Sequence, residues 1–441
     1  MTSSEVFHIK QDRPTIGEII KDLRTYRKMT QEDLAQATFS NKSTICQIER
    51  GNSKCSDNLL RMIKTALDVK ILPLFEAERS EFRDMLYKWY NAISARDWDT
   101  AKELQEKLSV IKLLPDDKEF NRLYSVFECR LLLGLNELDA AKRLLAKFET
   151  ELDELSDIQL YHHYYNQGTY NSRVKNNQAA LNNYLKANAL IRHDFGKNTL
   201  LYYNIAICYE RLGNVALAAT YLEVACELYP ITQNNAPEFS LYNSLGMCYI
   251  STGHLQRAKM TLDKAHTIAL SEYKTISNDY SKVRMGMVLS NYGYLFRMAK
   301  KWNSAIEYLD KALDILDKNN VYYLKTLYQK ALVLIAEGDT LSCHELLEEG
   351  VKLSKDSAIQ SAEFKALELL VNLNDDSARY IETEILPFLI KNNCFYTSLD
   401  FAMVLRDFLK GKEQSNKIRT LEISDIICTI LMQMSEGGVV E

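Results

Sequence analysis

Thr30–Gly51 reads TQEDLAQATFSNKSTICQIERG, a pattern that predicts a helix, a tight turn and a second helix ending at Gly51. Thr30 can cap the first helix, and Asp33 follows three residues later, close to the spacing of a capping box. The residues expected to face inward are Leu34, Ala35, Thr38, Ile45 and Ile48. The residues expected to face outward from the second helix are Asn41, Lys42, Ser43 and Gln47. Such short polar or cationic side chains can bond to base edges and phosphates in a DNA major groove.

The segment 15–69 resembles the helix-turn-helix of the bacterial repressor class that includes the phage lambda and 434 repressors. The class motifs L-R-x-x-R, T-Q-E-x-L-A and T-I-x-x-I-E-x-G match residues 23–27, 30–35 and 44–51. The resemblance implies a structural pair between Arg24 and Glu49. The candidate DNA-binding residues are Gln31, which the resemblance assigns to a phosphate, and Asn41, Lys42, Ser43, Thr44, Gln47 and Lys54. One departure is Phe39, which stands where many members of the class have glycine in the turn.

Composition favours an almost wholly helical protein with more than one unit. The chain has 441 residues, only 15 Gly and 6 Pro, and a net charge of −5. Residues 1–70 carry a net charge of +3 and the remainder −8, which fits a head that meets phosphate and a body that does not. No apolar run is long enough to cross a bilayer, and the N-terminus lacks the apolar core of a signal peptide. We therefore expect a cytoplasmic protein that does not associate with a membrane.

No motif indicates catalysis, a metal site or a cofactor. The nine cysteines are scattered singly, without the C-x-x-C spacing of zinc or redox sites. The adjacent histidines His162 and His163 lack the helical spacing of metal ligands, and no H-E-x-x-H occurs. No glycine-rich phosphate loop is present. The sequence therefore favours a binding protein over an enzyme.

The body of the chain is an array of repeats. The pattern Gly246, Tyr249, Gly253, Ala258 and Leu262 resembles the tetratricopeptide repeat, a helical hairpin of about 34 residues. Its key small residue recurs at Ala101, Ala141, Ala180, Ala218, Ala258, Ala305, Cys343 and Ala378. Eight hairpins stacked in this way predict a right-handed superhelix with a concave inner wall. The longest interval predicts an insertion near 272–280.

The predicted fold is all-α, with four segments along the chain. Residues 1–72 form a helix-turn-helix domain and residues 73–80 a linker. Residues 81–394 form about eight tetratricopeptide-type hairpins, and residues 395–441 form terminal helices that cap the stack. A plain helical bundle is the alternative to the repeat array.

A tetratricopeptide groove is usually a surface that binds peptides or proteins. Four asparagines, each just before the first small residue of a repeat, predict a ladder of amides that holds a peptide backbone. The candidate peptide-binding residues are Asn166, Asn204, Asn243 and Asn291, with Tyr202 and Tyr242 as pocket walls. The alternative is that these asparagines bridge neighbouring helices and that the tyrosines are packing residues.

Helix-turn-helix and repeats together resemble the RRNPP family of peptide-pheromone receptors from Gram-positive bacteria, especially its neutral-protease-regulator branch. The resemblance implies a quorum-sensing transcription regulator with no cofactor, a homodimer or higher oligomer that binds a two-fold site on double-stranded DNA. It also implies that a short imported peptide in the groove changes dimer geometry and DNA binding. Two alternatives remain open. One is a module that sequesters or dephosphorylates a response regulator, as in the sporulation phosphorelay, and the other is a phage lysogeny regulator.

Overall fold

The computed structural model describes residues 15–68, 76–109, 118–191, 198–232, 238–411 and 417–436. Within these ranges every regular element is helical. The α-helices of the first part are α1 (Ile16–Tyr26), α2 (Gln31–Ala37), α3 (Lys42–Glu49), α4 (Asp57–Ala66), α5 (Glu76–Ala95), α6 (Trp98–Ser109), α7 (Lys118–Gly134), α8 (Leu138–Glu149), α9 (Asp157–Arg173) and α10 (Asn177–Ala189).

The remaining helices follow the same alternation of helix and short turn. They are α11 (Thr199–Arg211), α12 (Val215–Thr232), α13 (Glu238–Ser251), α14 (Leu255–Thr275), α15 (Asp279–Met298), α16 (Trp302–Ile315), α17 (Val321–Glu337), α18 (Thr340–Leu353), α19 (Ala358–Val371), α20 (Asp375–Tyr380), α21 (Leu386–Lys391), α22 (Phe395–Lys410) and α23 (Lys417–Glu436). A π-helical turn, Ile381–Ile385, joins α20 to α21. It ends just before Pro387, which cannot donate the next backbone hydrogen bond.

The chain divides into two compact units, residues 1–166 and residues 167–441. The predicted domain boundaries, at residues 72, 80 and 394, stay predictions. The first of them falls within residues 69–75, which lie outside the described residues.

The four helices of the head surround a small apolar core. Thr30 and Asp33 form a complete capping box at the start of α2, and Asn41 caps α3. The core consists of Ile20, Leu23, Leu34, Ala35, Ile45, Ile48, Leu60, Ile63 and Leu67. The side chains that the sequence pattern turned inward are therefore buried, which leaves the outward side of α3 polar.

Arg24 and Glu49 join α1 to the end of α3. The Arg24 Nε and Nη2 atoms donate to the two Glu49 carboxylate oxygens at 2.6 and 3.0 Å. Arg24 Nη1 also donates to the Met29 carbonyl at 2.8 Å. Burial raises the pKa of Glu49, but hydrogen bonds from Arg24 and Gln31 outweigh it and hold the pKa below its ordinary 4.5. The carboxylate is thus ionised and bonded on both oxygens.

Phe39 occupies the turn between α2 and α3 with a left-handed backbone, at φ 50°. That region favours glycine, the residue that many members of the repressor class have in this turn. The Phe39 side chain is 92% exposed and contributes nothing to the head core.

Eight consecutive helix pairs, from α5–α6 to α19–α20, carry the repeats. The second helix of each pair has the predicted small residue as its fourth member, and that residue is buried in every pair: Ala101, Ala141, Ala180, Ala218, Ala258, Ala305, Cys343 and Ala378. All eight pairs therefore have the same sequence register. The position requires a small residue, because a buried site cannot accept a larger side chain without strain.

The first helix of each central pair contains a second small residue, seven positions before the turn. The turn residues have positive φ at Lys175, Gly213, Gly253, Lys300 and Gly338. The matching small residues are Gly168, Ala206, Gly246, Gly293 and Ala331. A Cβ atom on Gly246 would lie 2.7 Å from Leu262 Cδ2, so the two helices of that pair pack in direct contact here.

The predicted insertion near 272–280 lengthens two helices. α14 has 21 residues and α15 has 20, whereas α16 has 14. Only a short connection, Ile276–Asn278, separates α14 from α15. The extra residues therefore lengthen α14 and α15 and do not form a separate loop.

We expect Arg24→Ala or Glu49→Ala to destabilise the head by about 3 kcal/mol, because each leaves a buried charged partner unpaired. Faster hydrogen–deuterium exchange in α1 and α3 of the intact chain would measure the loss. Arg61→Ala, at an exposed position on α4, is the matched control. Protection equal to wild type in both variants would contradict the structural role of the pair.

The lowered pKa of Glu49 predicts a matching dependence on pH. A carboxyl whose folded pKa lies below its unfolded value stabilises the fold above the unfolded pKa, and that stabilisation is lost as pH falls through the folded pKa. Protection of the wild-type head should therefore fall below about pH 4.5. Glu49→Gln should show a smaller fall over the same range.

Lys300→Gly should stabilise the array by about 0.5–1 kcal/mol, because Lys300 adopts φ 55° at a turn where glycine is not strained. Lys301→Gly is the matched control, since Lys301 has φ −100° and gains nothing from glycine. Thermal unfolding of the two variants should move the midpoint in opposite directions. A lower midpoint for Lys300→Gly would contradict this account of the turns.

Candidate functional site

The outward side of α3 carries polar side chains, and a side-chain hydrogen bond caps the start of this helix. Asn41 Oδ1 accepts hydrogen bonds from the Thr44 backbone N–H at 2.7 Å and from Thr44 Oγ1 at 2.8 Å. Lys42, Ser43 and Gln47 are exposed, and Lys54 is exposed in the segment that follows. Asn41 and Thr44 thus fix the first turn of the helix, and the other side chains remain accessible.

Gln31, the predicted phosphate contact, lies beside the Arg24–Glu49 pair. Its Nε2 atom donates to Glu49 Oε2 at 2.7 Å. The side-chain amide is therefore part of the network that joins α2 to α3. A role at a phosphate stays a prediction.

The second unit contains a cavity of about 900 Å³. Its wall comes from the first helices of successive pairs, α11, α13, α15, α17 and α19, together with Asn393–Thr397 at the start of α22. Polar side chains alternate with Met247, Met287 and aromatic rings along this wall. The cavity thus offers both hydrogen-bonding groups and apolar contacts, as ligand sites usually do.

Two of the predicted peptide-binding asparagines meet in this cavity. Asn291 Nδ2 donates to Asn243 Oδ1 at 2.7 Å, which links α15 to α13. Both residues line the cavity. Their remaining amide groups can donate to and accept from a peptide backbone.

The other predicted residues are placed differently. Asn166 is 2% exposed, belongs to the first unit, and donates from Nδ2 to the Val126 carbonyl at 2.8 Å. Asn204 and Tyr202 are on α11, but neither lines the cavity. The Tyr202 ring lies 6.2 Å from the Tyr221 ring, and the Lys264 ammonium lies 5.0 Å from the ring centre of Tyr242. The surroundings of Asn166, Tyr202 and Tyr242 are those of packing residues, and a role at a ligand stays a prediction for these residues and for Asn204.

Charged side chains in the cavity include Glu210, Lys325 and Glu363. Burial raises the pKa of Glu210 and of Glu363, while the Lys325 charge opposes both shifts. Glu363 Oε1 accepts a hydrogen bond from Thr397 Oγ1 at 2.9 Å. Burial in the cavity thus disfavours the charged form of both carboxyl groups, and a nearby positive charge favours it.

The sequence interpretation missed the contribution of Asn393–Thr397 to the cavity. The sequence pattern places these residues at the end of the repeats and in the capping helices. Their side of the cavity faces helices that lie far earlier in the chain, and no local pattern reveals such a long-range contact.

Within the described ranges, no helix combines the length and the apolar character that a membrane crossing requires. The same ranges hold no group of three or more His, Cys, Asp or Glu side chains arranged to bind a metal ion.

Comparison with known proteins supports both the repeats and their organisation. Two tetratricopeptide-repeat family models match residues 201–230 and 239–271, which correspond to α11–α12 and α13–α14. The transcriptional activator NprA of Geobacillus stearothermophilus is 26% identical over 316 residues, covering 67% of this chain and 74% of NprA.

Solved structures share the fold at low sequence identity. The apo quorum sensor NprR from B. thuringiensis gives a TM-score of 0.63 at 20% identity, covering 80% of this chain and 99% of that one. NprR in complex with its cognate peptide NprX gives 0.59 at 19% identity, with coverage of 80% and 99%. A Rap protein complexed with competence and sporulation factor gives 0.62 at 16% identity, with coverage of 81% and 99%.

These similarities confirm the all-α fold with its tetratricopeptide superhelix, which the repeat pattern predicted. They agree with the family resemblance that the motifs indicated, including its neutral-protease-regulator branch. The chain contains tetratricopeptide repeats, and it is similar in sequence to the transcriptional activator NprA and in fold to the quorum sensor NprR.

Proposed function

We propose that this protein is a peptide-responsive transcription regulator, which binds DNA through α3 and a short signalling peptide in the cavity of the second unit. The juxtaposition of Asn243 and Asn291 in a 900 Å³ cavity carries the peptide-binding part of the proposal. In this proposal the protein acts in the cytoplasm, by binding and without catalysis. The complete helix-turn-helix favours this function over a response-regulator interaction module alone.

The DNA-binding part rests on the division of the head into two sides. Apolar residues of α2 and α3 fill the core, while Lys42, Ser43 and Gln47 are exposed together on α3. A glutamine can form two hydrogen bonds with adenine, and a lysine can donate to guanine or to a phosphate. One head covers little DNA, so we propose that a homodimer binds a two-fold site.

The peptide-binding part rests on the chemistry of the cavity wall. Carboxamides recognise peptide backbones without requiring particular side chains, because each offers a donor and an acceptor. Methionine and aromatic side chains between them supply adaptable apolar contacts for peptide side chains. NprR has been solved with its cognate peptide NprX, and the fold of this chain is similar. Peptide occupancy and DNA binding would then be reciprocally coupled.

Lys42→Ala and Gln47→Ala should each weaken specific DNA binding by about 1–3 kcal/mol if the side chain contacts a base. Binding to a selected duplex, measured by fluorescence anisotropy at fixed salt, tests this. Gln36→Ala, at an exposed position on α2, should leave affinity unchanged. Wild-type affinity and sequence preference in both α3 variants would rule out this placement of the recognition helix.

Asn243→Ala and Asn291→Ala should each weaken peptide binding by about 1–3 kcal/mol, because a peptide backbone group loses its partner. Calorimetry with a peptide selected on the wild-type protein measures the loss, while DNA binding without peptide should persist. Asn166→Ala is the comparison, since its amide bonds to the Val126 carbonyl and its loss should lower thermal stability. Normal peptide binding by both cavity variants would place the ligand site elsewhere.

A further inference from the structure

The repeat register identifies one more carboxamide on the cavity wall. The residue two positions before the small residue of the first helix is Asn204 in α11, Ser244 in α13, Asn291 in α15 and Gln329 in α17. Successive helical residues are rotated by about 100°, so this position lies about 200° from the side that contacts the second helix. It therefore faces away from the hairpin partner, toward the inner wall.

The cavity confirms that direction for three successive helices. Ser244, Asn291 and Gln329 all line it, and each is half-buried. Ser290 and Thr326, on α15 and α17, are hydrogen-bonded to each other through their hydroxyl groups at 3.0 Å. Gln329 thus lies on α17, which this hydrogen bond links to α15, the helix that carries Asn291.

Gln329 differs from Asn291 in how its amide is satisfied. Asn291 donates to Asn243, but the Gln329 Oε1 atom is closed off from solvent and accepts no hydrogen bond from any described residue. Buried acceptors are nearly always paired in folded proteins, and an unpaired one is destabilising. Because the Gln329 side chain lines the cavity, rotation of its amide would bring this unpaired oxygen to the cavity, where an incoming N–H would satisfy it.

We propose that Gln329 is a ligand-binding residue whose side-chain oxygen accepts a backbone N–H of the bound peptide. This inference rests on the proposed peptide-binding function and adds a third carboxamide, on the next repeat, to Asn243 and Asn291. The ligand it implies is an extended peptide with a free N–H opposite α17. Proline or an N-methylated residue at that point would be excluded.

The test begins with a pool of unblocked heptapeptides of random sequence, from which the tightest binder to the full-length protein is selected. Calorimetry then compares wild type with Gln329→Met, which keeps the side-chain length but removes the acceptor. We expect about tenfold weaker binding by the variant. Its thermal midpoint without peptide should equal or exceed that of wild type, because the unpaired oxygen is gone. A packing role for Gln329 predicts a lower midpoint.

A scan of the selected peptide, with one backbone nitrogen methylated at a time, identifies the N–H involved. One analogue should bind wild type about tenfold more weakly than the parent peptide, yet bind Gln329→Met as well as the parent does. Gln329→Glu, which keeps an acceptor, should restore the difference between parent and analogue. Gln178→Met is the control, since Gln178 is exposed on α10 and bonds to Asn182.

Each outcome decides between the claims. If no peptide of the pool binds wild type, the proposed peptide-binding function fails, and this inference fails with it. If a peptide binds wild type and Gln329→Met equally, the function stands and the role of Gln329 is refuted. Should Gln329→Met lose helicity, Gln329→Asn replaces it, because its shorter side chain withdraws the oxygen from the cavity.

Discussion

Close contact between the two helices of each hairpin is the constraint on which the array depends. In the central pairs one small residue lies seven positions before the turn, and another is the fourth residue of the second helix. The partner helix fills the space beside both small residues. These two positions therefore fix how the helices of a hairpin are rotated against each other. The rest of each helix is then divided between contacts with neighbouring hairpins and the inner wall. The cavity is a consequence of that division, since the wall positions recur at the same place in α13, α15 and α17.

Much of this followed from the sequence because the small residues and the helix-turn-helix motifs are local patterns. Their spacing predicted the all-α repeat fold, the inward residues of the head and two asparagines that meet in the cavity. A pattern of asparagines does not by itself define the cavity wall, because the residue type does not determine where its side chain points. Asn243 is one position away from the register of Asn291, and Ser244 occupies the equivalent place. Gln329 has the equivalent place in α17, and because it is a glutamine, a pattern of asparagines does not include it.

Other features depend on contacts that no local pattern records. Asn166 has the same register as Asn291, yet its amide bonds to Val126, whose carbonyl is in the preceding repeat. Gln31 matches a class motif, yet its amide is bonded to Glu49. In both cases the residue type permits either a ligand contact or a protein contact. The neighbouring backbone or carboxylate determines the protein contact that each amide makes, and a ligand contact of either residue stays a prediction.

The far wall of the cavity shows how distant residues complete the site. Arg297 on α15 is paired with Asp400 on α22 at 3.2 Å, and Tyr328 on α17 donates to the same carboxylate at 3.4 Å. Burial raises the pKa of Asp400 even though the Arg297 charge opposes the shift, so the carboxylate is only partly compensated. A buried pair of this kind adds little net stability, but it fixes which groups lie together. Asn393–Thr397 precede Asp400 on the same segment and form part of the cavity wall, so this pair helps to set where that part of the wall lies.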